Sequence, residues 1–277
     1  MAISVAGVIE PALQAAEMRR VADRPTTDLS AYDLYLRAVG NFFPTSRERV
    51  IENLGLLEQA IERDPNYGPA LAWAAICHLR SHQDGWVADP DRARRQGTDL
   101  ARRALHVAGT EPSVIVNAAY ALAYFGEDIG AMLALIDRAV LSRPSYARGW
   151  YVSGLLRLMA GDIDRAIEHI EKSGRLSPRD PVGTQSMMLG IGHFFAGRFD
   201  IATRELELTV QERPLAALGY RFLAASYAHL GRLDEARHVV DQLRRFAPVL
   251  SEDMSWRRTE DRELLLSGLR LATGETE

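Results

Sequence analysis

The chain has 277 residues, of which 47% are hydrophobic and 25% charged, a balance that fits a soluble globular or repeat protein and excludes a disordered or fibrous one. A formal charge of -4 gives no long-range attraction to nucleic acid, and the arginine clusters at Arg92, Arg94 and Arg95, at Arg102 and Arg103, and at Arg244 and Arg245 are interleaved with acids, as on solvated helix faces. The one cysteine, Cys77, cannot form an intramolecular disulfide and suits a reducing compartment. Leu, Ala and Arg dominate, and no run of alternating β-branched residues is bounded by turn signals, so the expected fold class is all-α.

The opening stretch "MAISVAGVIEPALQAAEMRR" lacks a basic start, and Glu10 and Pro11 interrupt it, so it reads as neither a signal peptide nor a membrane span. Residues 1–30 are expected to form an amino-terminal helix or arm, with Pro25, Thr26 and Thr27 as the break, and the protein is read as cytoplasmic. A repeat solenoid is expected over residues 31–250. Its first helix pair, residues 31–67, closes at Pro65, and its second, residues 70–105, carries a longer connection around Gly85 to Pro90. The third, from Ala118 to Pro144, has Ala119 and Gly126 at small positions and one extra residue assigned to its second helix.

Three clear units follow. The segments "GDIDRA", "GRFDIA" and "GRLDEA" place Ala166, Ala202 and Ala236 at intervals of 36 and 34, and Pro144, Pro178, Pro214 and Pro248 lie 34, 36 and 34 apart. Trp150, Gly154, Gly161, Ala166 and Pro178 then fall on the marks of a tetratricopeptide repeat, which the unit resembles. Gly154, Gly190 and Ala224 are expected where a first helix meets its second, a crossing that larger side chains would hold apart. Gly161, Gly197 and Gly231 supply the positive φ that turns the chain back. Asp162, Asp200 and Asp234 lie in the turn or first helical turn, where a carboxylate favours the helix start. Residues 251–277 are expected to form a capping helix and tail that cover the last apolar face. The sum is a right-handed α-solenoid of about six helix-turn-helix pairs with a carboxy-terminal cap.

No phosphate-binding loop, zinc-protease helix, nucleophile elbow or paired-cysteine motif is present, and the chain is read as non-catalytic, with no cofactor and no metal. His78 and His82 share a helix face in "CHLRSH", yet two histidines make an incomplete site, and Cys77 occupies a small packing position. Function is therefore assigned to the concave face lined by the first helices. Its positions are Arg148, Tyr151, Leu155 and Met159; Thr184, Met187, Ile191 and Phe195; and Leu218, Arg221, Ala225 and His229. This mixture suits an apolar helix or extended peptide carrying an acidic group, with self-association as a further mode and neither nucleic acid nor membrane as partner. Where clamps for acidic chaperone tails carry Lys and Asn, this chain has Tyr151, Leu155, Met187, Ile191 and Arg221, so such a tail is not expected.

The stretches "GVIEPALQAAEMRRVADRPTTDLSAYDLYLRA", "LLEQAIERDPNYGPALAWAAICHL", "GWVADPDRARRQGTDLARRAL" and "EPSVIVNAAYALAYFG" resemble the carboxy-terminal repeat region of bacterial class III adenylate cyclase-like multidomain regulators. The repeat code and the lack of catalytic motifs point to a non-catalytic protein-binding scaffold, expected in signalling or transcriptional control; the alternatives are a regulatory or dimerisation domain for a cyclase-type system, which the resemblance implies, and a small-molecule or metal sensor using the His78/His82 helix face or the apolar groove. The cyclase catalytic domain has no counterpart in these residues, so the resemblance transfers no catalytic residue.

Overall fold

The computed structural model describes residues 29–42, 45–178, 185–250 and 256–274. Among these, every regular element is helical: α1 (Leu29–Gly40), α2 (Arg47–Arg63), α3 (Gly68–Gln83), α4 (Pro90–Ala108), α5 (Pro112–Tyr124), α6 (Ile129–Ser142), α7 (Ala147–Ala160), α8 (Ile163–Leu176), α9 (Gln185–Phe195), α10 (Phe199–Glu212), α11 (Ala217–His229), α12 (Leu233–Leu243) and α13 (Thr259–Thr273). They form six helix-turn-helix pairs followed by a last single helix, the all-α solenoid class that the spacing predicts. The expected amino-terminal arm falls outside the described residues except for its last two, which begin α1. No described helix is long and apolar enough to cross a membrane.

The chain divides into two compact units, Met1–Val152 with Ser173–Val182, and Ser153–Lys172 with Gly183–Glu277. In the first unit, helix starts are set by side-chain caps and prolines. Ser46 accepts from the Arg49 amide at 3.3 Å, Asp89 from that of Arg92 at 2.9 Å, and Asp128 from that of Ala131 at 2.7 Å. Pro69, Pro90 and Pro112 occupy the first helical turn, where a missing N–H leaves no bond unmade. Helix α4 shows the division of faces: Ala93, Gly97, Ala101 and Ala104 are buried, whereas Arg92, Arg94, Arg95, Arg102 and Arg103 are exposed.

The turn glycines behave as their positions require. Gly126, Gly161, Gly197 and Gly231 have φ of 107°, 82°, 71° and 74°, and each closes a first helix. One expectation is corrected here. The extra residue of the third pair sits in the turn and not in the second helix: α6 starts three residues after Gly126, but α8, α10 and α12 start two residues after their glycines. Asp128 takes the cap position, so the insertion is absorbed before the helix begins.

The second unit shows the packing code directly. A Cβ on Gly154 would stand 2.5 Å from Ile170 Cγ1 and 2.9 Å from the Ala166 carbonyl oxygen on α8, and one on Gly190 would stand 2.6 Å from Leu206 Cγ on α10. Ala166, Ala202, Ala224 and Ala236 are fully buried. These are the small positions at which two helix axes approach one another, with Leu206, Leu223 and Val240 filling the space around them.

Candidate functional site

The concave-face positions do not share one environment. In the second unit, Met159 and Ile191 are buried and Ala225 is fully buried, so these three offer little surface, whereas Leu155, Met187, Phe195, Leu218, Arg221 and His229 are partly exposed. Thr184 lies outside the described residues.

The carboxy-terminal segment covers part of this face. The Trp256 ring sits edge-on to Phe195 and Phe222 at centroid distances of 4.9 and 5.7 Å. Arg257 donates its backbone N–H to the Met159 carbonyl at 3.0 Å, and Arg221 donates from Nη2 and Nε to the carbonyls of Pro248 and Val249 at 2.8 and 3.0 Å. Helix α13 closes the end of the unit, but it lies mainly along α11 and only lightly against α12, with His229 Nε2 hydrogen-bonded to the Leu264 carbonyl at 2.9 Å. Sequence reasoning missed Trp256 and Phe222 as parts of this surface. The available signal was a lone tryptophan in the polar run "SEDMSWRRTED".

In the first unit, the first helices α3 and α5 pack side by side, and Arg148 at the start of α7 reaches across to both. Its guanidinium carbon lies 4.8 Å from the Trp73 ring centroid, and its Nε donates to Asn117 Oδ1 at 2.9 Å. Trp73 is itself held by an edge contact with Phe42 at 5.0 Å, and Asn117 is 1% exposed. An arginine stacked on an indole and bonded by a buried amide has lost much of its rotamer freedom before any ligand arrives. No described carboxylate makes an ion pair with it.

Tyr120 lies among these groups. Burial pushes its hydroxyl up to about 12, against the lowering influence of Arg80 and Arg148 and with the support of Tyr151 and Asp84. Arg80, by contrast, is already engaged, with Gln83 Oε1 at 2.8 Å and Asp84 at 3.0 Å. The sequence singled out Arg148 and Tyr151; it did not single out Trp73 and Asn117, which come from two other repeats and meet Arg148 only in the fold.

The histidine face of α3 is built for packing. His78 is 8% exposed, and burial first, then Arg92, holds its pKa below the ordinary value. His82 Nδ1 pairs with Tyr124 Oη at 3.2 Å, with its ring edge-on to Tyr124 and Phe125. Among the described residues no group of three or more His, Cys, Asp or Glu side chains is placed to hold a metal. Cys77 is fully buried, and burial pushes its thiol far up from the usual range.

Stacked helix pairs joined by glycine turns define a helical-repeat protein. The tetratricopeptide repeat family model matches residues 122–181 and 187–249, so these segments are similar to tetratricopeptide repeats. A tetratricopeptide repeat protein from Parabacteroides merdae is similar in fold, with a TM-score of 0.52 and 15% identity over 90% of this chain and 88% of that one. PilW, a type IV pilus biogenesis factor, gives 0.59 and 16% over 82% and 97%. The APC/C hetero-tetramer Cut9–Hcn1 gives 0.63 and 14% over 96% and 48%. No curated protein matches the chain. None of these similarities carries the resemblance to cyclase-associated regulators.

Proposed function

We propose that the chain is a non-catalytic protein-binding scaffold that takes an acidic peptide segment on the concave face of its first unit, at Arg148 and Tyr151. Tetratricopeptide folds generally hold protein or peptide partners, and this reading adds a site and a ligand chemistry. One observation carries it: Arg148 is fixed by Trp73 and Asn117 yet has no described carboxylate partner. A carboxylate arriving there would form charge-assisted hydrogen bonds with a donor already in position. A role as a regulatory module in signalling or transcriptional control, beside an adenylate cyclase-type system, rests on the sequence resemblance alone. Among the described residues no cluster of three or more His, Cys, Asp or Glu side chains supports the metal-sensor alternative.

Selection of a random-peptide display library on the full chain tests the site. Peptides carrying Asp, Glu or a terminal carboxylate should be enriched, and Arg148→Gln should weaken them by about tenfold or more, since hydrogen bonds to charged groups contribute about 1.5–3 kcal/mol. Recovery of the same peptides with equal affinity by Arg148→Gln would remove the reading.

A further inference from the structure

On the exposed face of α4, three arginines surround one hydroxyl. The positions one turn before and after Thr98 are held by Arg94, Arg95, Ala101 and Arg102, with Cβ atoms about 5–6 Å from its own, and of these only Ala101 is buried. Thr98 is half-buried, and its hydroxyl makes no hydrogen bond with any described residue. Elsewhere in the chain, the hydroxyls of Thr203, Thr209 and Thr273 donate to a carbonyl three or four residues back, at 2.9, 2.9 and 3.1 Å. The Thr98 hydroxyl is therefore left to face what lies beside the helix. That is a cleft of about 430 Å³, walled on its other side by Phe125, Gly126 and Glu127 at the end of α5 and in the turn that follows. The wall is held in place from behind. A Cβ on Gly97 would fall 2.5 Å from Phe125 Cε2, and His82 and Tyr124 sit edge-on to the same ring at 5.7 and 5.4 Å. Glu127 is also the residue by which this turn exceeds those at Gly161, Gly197 and Gly231, and insertions in repeat arrays gather on faces that bind partners.

The three arginines are not neutralised equally. Arg102 pairs with Glu127 across the cleft, Arg94 pairs with Asp91 at 3.0 Å, and Arg95 makes no ion pair or hydrogen bond among the described residues. Asp99, which also lines the cleft, lies 3.8 Å from Arg103. Three arginines against the carboxylates of Asp99 and Glu127 leave the lining with one positive charge in excess. Exposed ion pairs contribute little to stability, so an arriving anion can draw Arg94 and Arg102 away from theirs. The number of donors then selects the anion. A carboxylate has two oxygens and one charge, whereas a phosphomonoester has three oxygens and close to two charges at neutral pH, enough for three guanidinium groups and a hydroxyl.

We propose that the cleft between α4 and the α5–α6 turn binds a phosphomonoester, with Arg94, Arg95 and Arg102 around the phosphate and Thr98 donating to one of its oxygens. None of these side chains belongs to the Arg148 site, and the inference does not rest on it.

The test titrates the full chain with two phosphomonoesters, glycerol 3-phosphate and an otherwise neutral peptide carrying one phosphoserine, and follows the arginine Nε–H signals by nuclear magnetic resonance. The same peptide with Glu in place of phosphoserine is the control. Both phosphate probes should bind and shift the Arg95 signal, and the ratio of their affinities tells a small phosphorylated metabolite from a phosphorylated protein partner. Arg95→Gln should weaken binding about tenfold and Thr98→Val about threefold, with circular dichroism unchanged because neither side chain is buried. Glu127→Gln removes an opposing charge and frees Arg102, so it should strengthen binding, an effect that damage to the fold cannot imitate. Arg148→Gln should leave binding as it was. Three results would overturn the proposal: no binding of either phosphate probe, equal binding of the Glu peptide and the phosphoserine peptide, or binding that survives Arg95→Gln and is lost in Arg148→Gln.

Discussion

Replacing Gly154 by Ala adds one methyl group to a helix and should nevertheless destabilise the protein. The new Cβ would stand 2.5 Å from Ile170 Cγ1, 2.9 Å from the Ala166 carbonyl oxygen and 3.2 Å from the Ile170 amide nitrogen, whereas ordinary contact begins at 3.4 Å. The Ile170 side chain can rotate away, but the carbonyl belongs to the backbone of α8. The two helices must therefore separate by about 0.5 Å, the difference between 3.4 and 2.9 Å. Overpacking of this kind costs about 1–3 kcal/mol. Against it stands the gain of Ala over Gly inside a helix, about 0.8–1 kcal/mol. The expected net effect is a loss of about 1 kcal/mol, and Gly154→Leu should lose more. Gly55, inside α2, is the control, because a Cβ there would meet nothing within 4 Å. Gly55→Ala should gain about 0.5–1 kcal/mol from helix propensity alone. Urea unfolding followed by circular dichroism measures both. Because repeat arrays unfold less cooperatively than compact domains, the order of the two variants is the readout. A Gly154→Ala protein as stable as Gly55→Ala would refute the assigned helix crossing.

At Gly197, with φ of 71° and no atom near its would-be Cβ, only backbone strain opposes a side chain, so Gly197→Ala should lose about 1 kcal/mol and Gly197→Asn less, by the same unfolding assay. The Cys77 thiol should resist an aromatic disulfide reagent in the native protein and react at the rate of unfolding; rapid native-state labelling would contradict its burial. His78 and His193 both have pKa values held down, chiefly by burial, so as pH falls below about 6.5 the unfolded chain takes up protons that the folded chain does not. Stability should fall through that window towards pH 5, and His78→Gln should reduce the slope. Half-buried Glu205 and buried Asp261, whose values are raised chiefly by burial, act in the opposite sense, so the comparison of wild type with His78→Gln isolates the histidine, and equal slopes would count against it.

The sequence alone determined the repeat. Glycine at a positive φ, a small residue at a helix crossing and proline after a second helix are local demands of the backbone, and each leaves its residue type at a fixed spacing. Hence six pairs and the turn at Gly161 were readable in the chain, and even the irregular third pair was misplaced only in where its extra residue goes. The surroundings of the first-helix positions were decided by tertiary structure. Arg148 meets Trp73 and Asn117 from repeats 75 and 31 residues away, and no periodicity relates those three side chains. Trp256 and α13 lie on α11 because the last first-helix exposes an apolar face to whatever segment can reach it. The helical pattern of that segment marks its own apolar side, whereas the surface it covers is chosen by contacts that form only once the repeats have stacked.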